Sequence, residues 1–181
     1  MPQSAPPFAE LLANCRQSAV HLEMRDSYDD PDEAPRVAAW ESGYRPDPDD
    51  RSTWWRPWLD MVSEAVGRGV EFRRARIVSE PVSQYTQYLY DGTFANVAAG
   101  EQIRWLPRRQ ASDIALPGND FWVFDGRLVR FGYFSGDGTY LGDEVDDRAD
   151  VVRLCVDAFE TVWDRAVPHA DYKIIGTAQH S

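Results

Sequence analysis

The sequence predicts a single α/β domain, a mixed sheet of about five strands with helices on both faces. Three observations carry that expectation. Segments with apolar residues at helical spacing are separated by short apolar or alternating runs, with glycine between helix and strand. Phe121-Trp122-Val123-Phe124 is apolar on both faces, as in a strand covered on two sides, and the Asp125-Gly126 that follows tolerates positive φ and signals a hairpin. The 181 residues include 7 Trp, 8 Tyr and 8 Phe, enough aromatic volume for one substantial core.

In chain order, residues 1–7 read as a flexible leader, 8–168 as the domain and 169–181 as a flexible tail. Phe8, Leu11, Leu12 and Cys15 lie at i, i+3, i+4 and i+7 and make a short helix. Residues 19–24 suit either an extension of that helix or a strand. Residues 28–50 are acidic, carry Pro31, Pro35, Pro46 and Pro48, and read as loops around one short helical piece at 37–40. A second helix over 53–67 is capped by Ser52 or Thr53, with Trp55, Trp58, Leu59, Val62, Ala65 and Val66 inward. Gly67-Arg68-Gly69 ends it, and residues 70–78 form a strand. Pro81 leads into a helix over 82–90, closed by Asp91-Gly92, and a further strand at 102–106 stops at Pro107.

The hairpin joining the strand at Phe121 to the one that reaches Phe134 is the expected centre of the core. Ser135-Gly136-Asp137-Gly138 links it to a short strand at 139–141. Asp143-Glu144 and Asp146-Asp147 read as the solvated approach to the last helix, 147–166, with acid at the positive end of its dipole. Val151, Val152, Leu154, Cys155, Ala158, Phe159, Val162 and Trp163 face inward there, and Pro168 follows.

A formal charge of -11 argues against nucleic acid held through the net field, so no direct nucleic-acid partner is expected. Lys173 is the only lysine among 19 basic residues, a skew read as GC-rich bacterial codon usage. Cys15 and Cys155 read as free, buried thiols of a cytoplasmic protein. The first residues lack a signal peptide's basic and apolar regions, and no apolar run approaches the roughly 18 residues of a membrane span, so no membrane partner is expected.

The oddest feature is arginine within a strand. Alternation places Phe72, Arg74, Arg76 and Val78 on one face and Arg73, Ala75 and Ile77 on the other. Were the strand at 102–106 its neighbour, Arg74, Arg76, Arg104 and Arg108, with Arg109, Glu80 and Asp120 close by, would line a cleft for a phosphate or carboxylate. The plainer alternative is structural ion pairing with Glu71, Glu80 and Asp120. Asp113, Asp120, Asp125 and Asp137 could gather for acid/base work or a divalent cation, but Asp125 and Asp137 are also what turns require. His21 reads as a packing histidine. One exposed member of Trp54, Trp55 and Trp58 could serve a pocket or a homodimer face. No nucleophile elbow, dinucleotide loop or EF-hand spacing is present, and neither cofactor nor metal is expected.

Residues 69–83 (GVEFRRARIVSEPVS), 100–109 (GEQIRWLPRR), 115–122 (ALPGNDFW) and 134–138 (FSGDG) resemble an uncharacterised actinobacterial domain-of-unknown-function family. The likeness spans residues 8–168. It implies a gene often beside an Xre-type helix-turn-helix regulator, hence a regulator as possible protein partner, and no established activity. More distantly, the order of elements is similar to a phospholipase D-like module. That chemistry needs His-x-Lys before the strand entering the turn, because histidine is the nucleophile. Pro117-Gly118-Asn119-Asp120-Phe121 stands there instead, and the histidines are His21, His169 and His180. The departure argues against phosphodiesterase activity. The leading expectation is therefore a non-catalytic regulatory or accessory protein binding a small anionic ligand or a protein partner. Its alternatives are a phosphoryl or acyl hydrolase using the arginines with Asp120 or Asp137, and a toxin-antitoxin-like interaction module.

Overall fold

The computed structural model describes residues 3–175. Its elements are β1 (Gln3–Ser4), α1 (Phe8–Asn14), β2 (Ser18–Glu23), α2 (Ala34–Glu41), α3 (Pro57–Gly67), β3 (Glu71–Val78), α4 (Gln84–Ala98), β4 (Gln102–Pro107), β5 (Phe121–Phe124), β6 (Leu128–Phe134), β7 (Tyr140–Asp146), α5 (Ala149–Arg165) and β8 (Val167–Pro168). The strands form one sheet of eight, not about five, in the order β1-β7-β6-β5-β2-β3-β4-β8. β2, β3 and β4 run parallel, and the remaining pairings are antiparallel.

Both faces are covered. α5 lays Val152, Cys155, Ala158, Phe159, Val162 and Trp163 against Val20, Leu22, Ala75, Ile77, Val123 and Val129. On the other face Leu12, Leu59, Val62 and Ala65 pack on Ala19, Phe72 and Phe124. The hairpin turns at Asp125 (φ 52) and Gly126 (φ 62), both in the left-handed region. Asp125 does more than turn. Its carboxylate accepts the backbone N–H groups of Arg16, Gln17 and Ser18, tying the turn to the α1–β2 junction.

Several boundaries differ from expectation for identifiable reasons. Residues 18–23 are a strand at the heart of the sheet, hydrogen-bonded to β3 on one side and β5 on the other. α3 begins at Pro57, after Arg56 and without a side-chain cap, while Ser52 and Thr53 belong to a separate single turn at Arg51–Thr53 that Asp50 caps by accepting from Ser52 N. α4 is capped by Ser83, whose side chain accepts from Thr86 N. It continues through Asp91-Gly92, because the helical cost of one glycine, about 1 kcal/mol, is offset by docking Thr93, Ala95 and Asn96 in the interior. The acidic run Asp143-Glu144 belongs to β7, where Asp143 faces Arg130.

Residues 169–175 of the expected tail are packed on the domain, and 176–181 lie outside the described residues. Tyr172 is buried and stacks on Trp105 at 5.5 Å, and Val82 N donates to Ile175 O. At the other end, Gln3 and Ser4 pair with β7. Both cysteines are buried and free. Among the described residues no helix is long and apolar enough to cross a membrane.

Candidate functional site

The face of the sheet opposite α5 carries a cleft of about 1520 Å³. Its floor comes from β2, β3, β5 and β6, its walls from the starts of α1 and α3 and from α4, and its rim from α2 and the proline-rich loop after it. Alternation explains the floor: cross-strand register sets His21 beside Arg74 and Trp122, and Trp122 beside Arg130, all on one face.

Arg74 and Arg76 lie in this floor, 8 % and 6 % exposed. They are not open forks. Glu23 bridges them, accepting from Arg74 Nη1 through Oε1 and from Arg76 Nε through Oε2 at 2.6 Å. Glu101 accepts from Arg74 Nε at 2.6 Å and from Asn96 Nδ2 at 2.7 Å, while Arg76 Nη1 reaches Thr93 Oγ1 at 3.3 Å. Two guanidinium groups and two carboxylates make a neutral, buried quartet. Burial alone would push the Glu23 carboxyl up, but Arg76 and Arg74 outweigh it and hold it far below the usual range. Glu101 is placed by Gly100, whose φ of +98 turns the chain out of α4 and whose missing Cβ leaves room for Val66.

Asp120 lies at the mouth of β5. Its Oδ1 accepts from Met24 N at 2.9 Å and its Oδ2 from the Tyr28 hydroxyl. Burial raises its pKa to about 6 despite those bonds. His21 stacks on Trp122 with ring centroids 4.1 Å apart. Burial pushes its pKa well below the ordinary value, so its 3.5 Å approach to Glu23 is a contact between a neutral ring and a carboxylate.

The structure brings Arg74, Arg76 and Asp120 to the cleft and separates them from the other residues the sequence suggested. Arg104 pairs in register with Ala75, points to the opposite face, and donates to Trp163 O on α5 at 2.9 Å. Arg108 closes the ends of the strands, donating to Ser79 Oγ at 2.9 Å and Met24 O at 2.6 Å. Glu80 accepts from the Tyr172 hydroxyl at 2.7 Å. The four aspartates do not gather: Asp113 pairs with Arg165, Asp125 holds the hairpin turn, and Asp137 accepts within its own turn from Thr139 N at 3.1 Å. Among the described residues no cluster of three or more His, Cys, Asp or Glu side chains could hold a metal ion. His169 accepts from Trp105 Nε1 at 3.1 Å, and His180 lies outside the described residues.

Sequence reasoning missed Glu23, Glu101 and Arg56. A glutamate ending an apolar strand opposite an arginine strand was a signal for the first. Arg56, just before α3, lines the cleft with no hydrogen-bonding or ion-pair partner among the described residues. Burial lowers its pKa, the positive charges of Arg36 and Arg74 lower it further, and Tyr88 and Glu33 act in the other direction. Two more donors on the cleft lining, Trp54 Nε1 and Arg130 Nη1, are buried without acceptors. Several carboxylates of the same lining are engaged: Glu23 by Arg74 and Arg76, Glu33 by Tyr85 and Tyr88, Asp91 by Trp40, and Asp143 by Arg130. Arg56 is left as a guanidinium with no carboxylate of its own.

The chain belongs to the family described as Domain of unknown function (DUF6879), whose model matches residues 6–174. No curated protein matches it. Among solved structures it is similar to a phospholipase D family member, Nuc from Salmonella typhimurium, at 10% identity, covering 88% of this chain and 86% of that one with a TM-score of 0.48. NucT from Helicobacter pylori is similar at 10% identity over 88% of this chain and 87% of its own, TM-score 0.48. TrmBL2, described as an archaeal chromatin protein with a novel mode of DNA binding, shares 15% identity over 87% of this chain with a TM-score of 0.47. The present chain spans about half of TrmBL2, 47% of its length.

Proposed function

We propose that the domain binds a small anion in the cleft without turning it over, in a regulatory or accessory role. The observation that carries this reading is Arg56, a half-buried guanidinium on the cleft lining with no side-chain partner among the described residues. Its fork is open to the cleft, and a bidentate anion is what such a fork favours. Arg74 and Arg76, neutralised by Glu23 and Glu101, form the floor of that site instead of its grip, and Asp120 lies at its edge. Arg104, Arg108 and Glu80 take no part.

The test is thermal unfolding with phosphate, sulfate and small carboxylates at matched ionic strength, in wild type and Arg56→Gln. A ligand present at a hundred times its dissociation constant stabilises by about 2.7 kcal/mol, which wild type should show and the variant should largely lose. An equal response of both proteins to every anion overturns the reading.

A hydrolase is favoured by one observation, the Asp120 carboxyl raised to about 6 within the cleft, suited to acid/base work. Against it, the guanidinium groups nearest the floor are already spent on carboxylates. Turnover of phenyl phosphate or phenyl acetate by wild type, lost in Asp120→Asn, would favour the hydrolase. A helix-turn-helix regulator as partner of the liganded domain belongs to the same regulatory proposal, and co-elution that depends on an added anion would support it.

A further inference from the structure

Four aromatic side chains of the cleft have their polar ends taken up by carboxylates. The Tyr28 hydroxyl donates to Asp120, the Tyr85 and Tyr88 hydroxyls donate to Glu33, and Trp40 Nε1 donates to Asp91 Oδ2 at 2.8 Å. With those ends engaged, the rings are what these four side chains have left to offer a ligand. A second apolar wall is built by Phe8, with centroids 5.0 Å from Trp58 and 4.8 Å from Trp122. The same lining carries the half-buried guanidinium of Arg56, whose donors have no side-chain acceptor among the described residues. A hydrated inorganic anion would satisfy the donors and leave the rings against water. A purely apolar molecule would cover the rings and leave the donors unpaired.

We propose that the ligand is an aromatic acid, a planar ring bearing one carboxylate or phosphate group, with the ring against the aromatic walls and the anionic oxygens on Arg56. Ring faces favour offset or edge contacts with another ring, and a guanidinium favours a bidentate anion. The proposal rests on the anion-binding reading above and adds the body that carries the anion. Its size is compatible with the space: pockets of roughly 300–1,000 Å³ hold such molecules, and this cleft is larger and open.

The test is calorimetric titration of the full chain at matched ionic strength with indole-3-acetate, phenyl phosphate, indole, acetate and inorganic phosphate. Arg56→Gln and Tyr88→Leu are compared with wild type. Indole-3-acetate or phenyl phosphate should bind at least about tenfold tighter than acetate, phosphate and indole, because ring and anion contribute together. Arg56→Gln should weaken that binding by roughly tenfold or more. Tyr88→Leu removes a wall ring and should weaken the aromatic acids while leaving acetate and phosphate unchanged. Which aromatic acid binds tighter decides between carboxylate and phosphate. If acetate or phosphate matches the aromatic acids, the aromatic-acid proposal falls and anion binding stands. If indole matches indole-3-acetate and Arg56→Gln changes nothing, both fall. Absence of binding by all five probes overturns the aromatic-acid proposal.

Discussion

Replacing Glu23 with Gln isolates the physics of the cleft floor. The side chain is isosteric, so packing is kept, but the quartet changes from two cations and two anions to two cations and one anion, in a site where Glu23 is 8 % and Glu101 2 % exposed. At an effective dielectric constant near 20, each unit-charge pair about 4 Å apart is worth about 4 kcal/mol. Glu23 makes two such pairs, with Arg74 and Arg76, offset by several kcal/mol of its own desolvation. The glutamine amide also turns one acceptor into a donor facing a guanidinium. The expected cost is about 3–5 kcal/mol, the range for an uncompensated buried charge. Urea unfolding monitored by tryptophan fluorescence measures it. Arg76→Met alone leaves one cation against two anions and should cost a similar amount. Glu23→Gln combined with Arg76→Met restores balance through Arg74 and Glu101, so the double variant should be less destabilised than the sum of the singles by about 3 kcal/mol. A single-variant cost below about 1 kcal/mol, or strict additivity, would refute the description of the quartet as a charge-balanced buried unit.

Further expectations concern pH and backbone. The Asp120 carboxyl is raised to about 6 by burial, so between pH 4 and 6 the unfolded chain gives up its proton first and folding loses stability as pH rises, by up to about 3 kcal/mol. Asp120→Asn, which keeps an acceptor for Met24 N, should flatten that part of the melting temperature profile relative to wild type. Asp125 runs the other way: burial raises it, but N–H donors from Gln17, Ser18 and Arg16 outweigh that and hold it at about 2. Its contribution is present above pH 4 and lost as pH falls toward 2, so Asp125→Asn should cost about 2 kcal/mol at pH 7 and almost nothing at pH 2. Gly100→Ala places a Cβ 2.8 Å from Val66 Cγ1 at φ +98 and should destabilise by about 3 kcal/mol in the same urea assay. Gly92→Ala, inside α4 with open space around it, should stabilise by about 1 kcal/mol.

Local pattern was enough for the elements whose apolar periodicity is unbroken. α1, α5, the 121–134 hairpin and the separate strands β3 and β4 are legible because each carries its own turn or stop signal and buries one recognisable face, whereas the pairing of β3 with β4 came only from the folded sheet. Period two along residues 72–78 also placed Arg74 and Arg76 together, with Arg73 opposite. Tertiary structure decided whatever depended on a partner far along the chain. β2 is a strand because it fills the space between β3 and β5, a pairing that six residues cannot announce, and α4 overrides Asp91-Gly92 because its far end docks in the core. Two-residue strands such as β1 and β8 exist only through the edges they meet. The same distinction runs through the site. Sequence showed that the arginines needed partners, since unpaired buried guanidinium is too costly to keep. Only the folded sheet brings Glu23 and Glu101 to Arg74 and sends Arg104 to the other face. It also leaves Arg56 without a carboxylate, because charge balance is a property of neighbours in space.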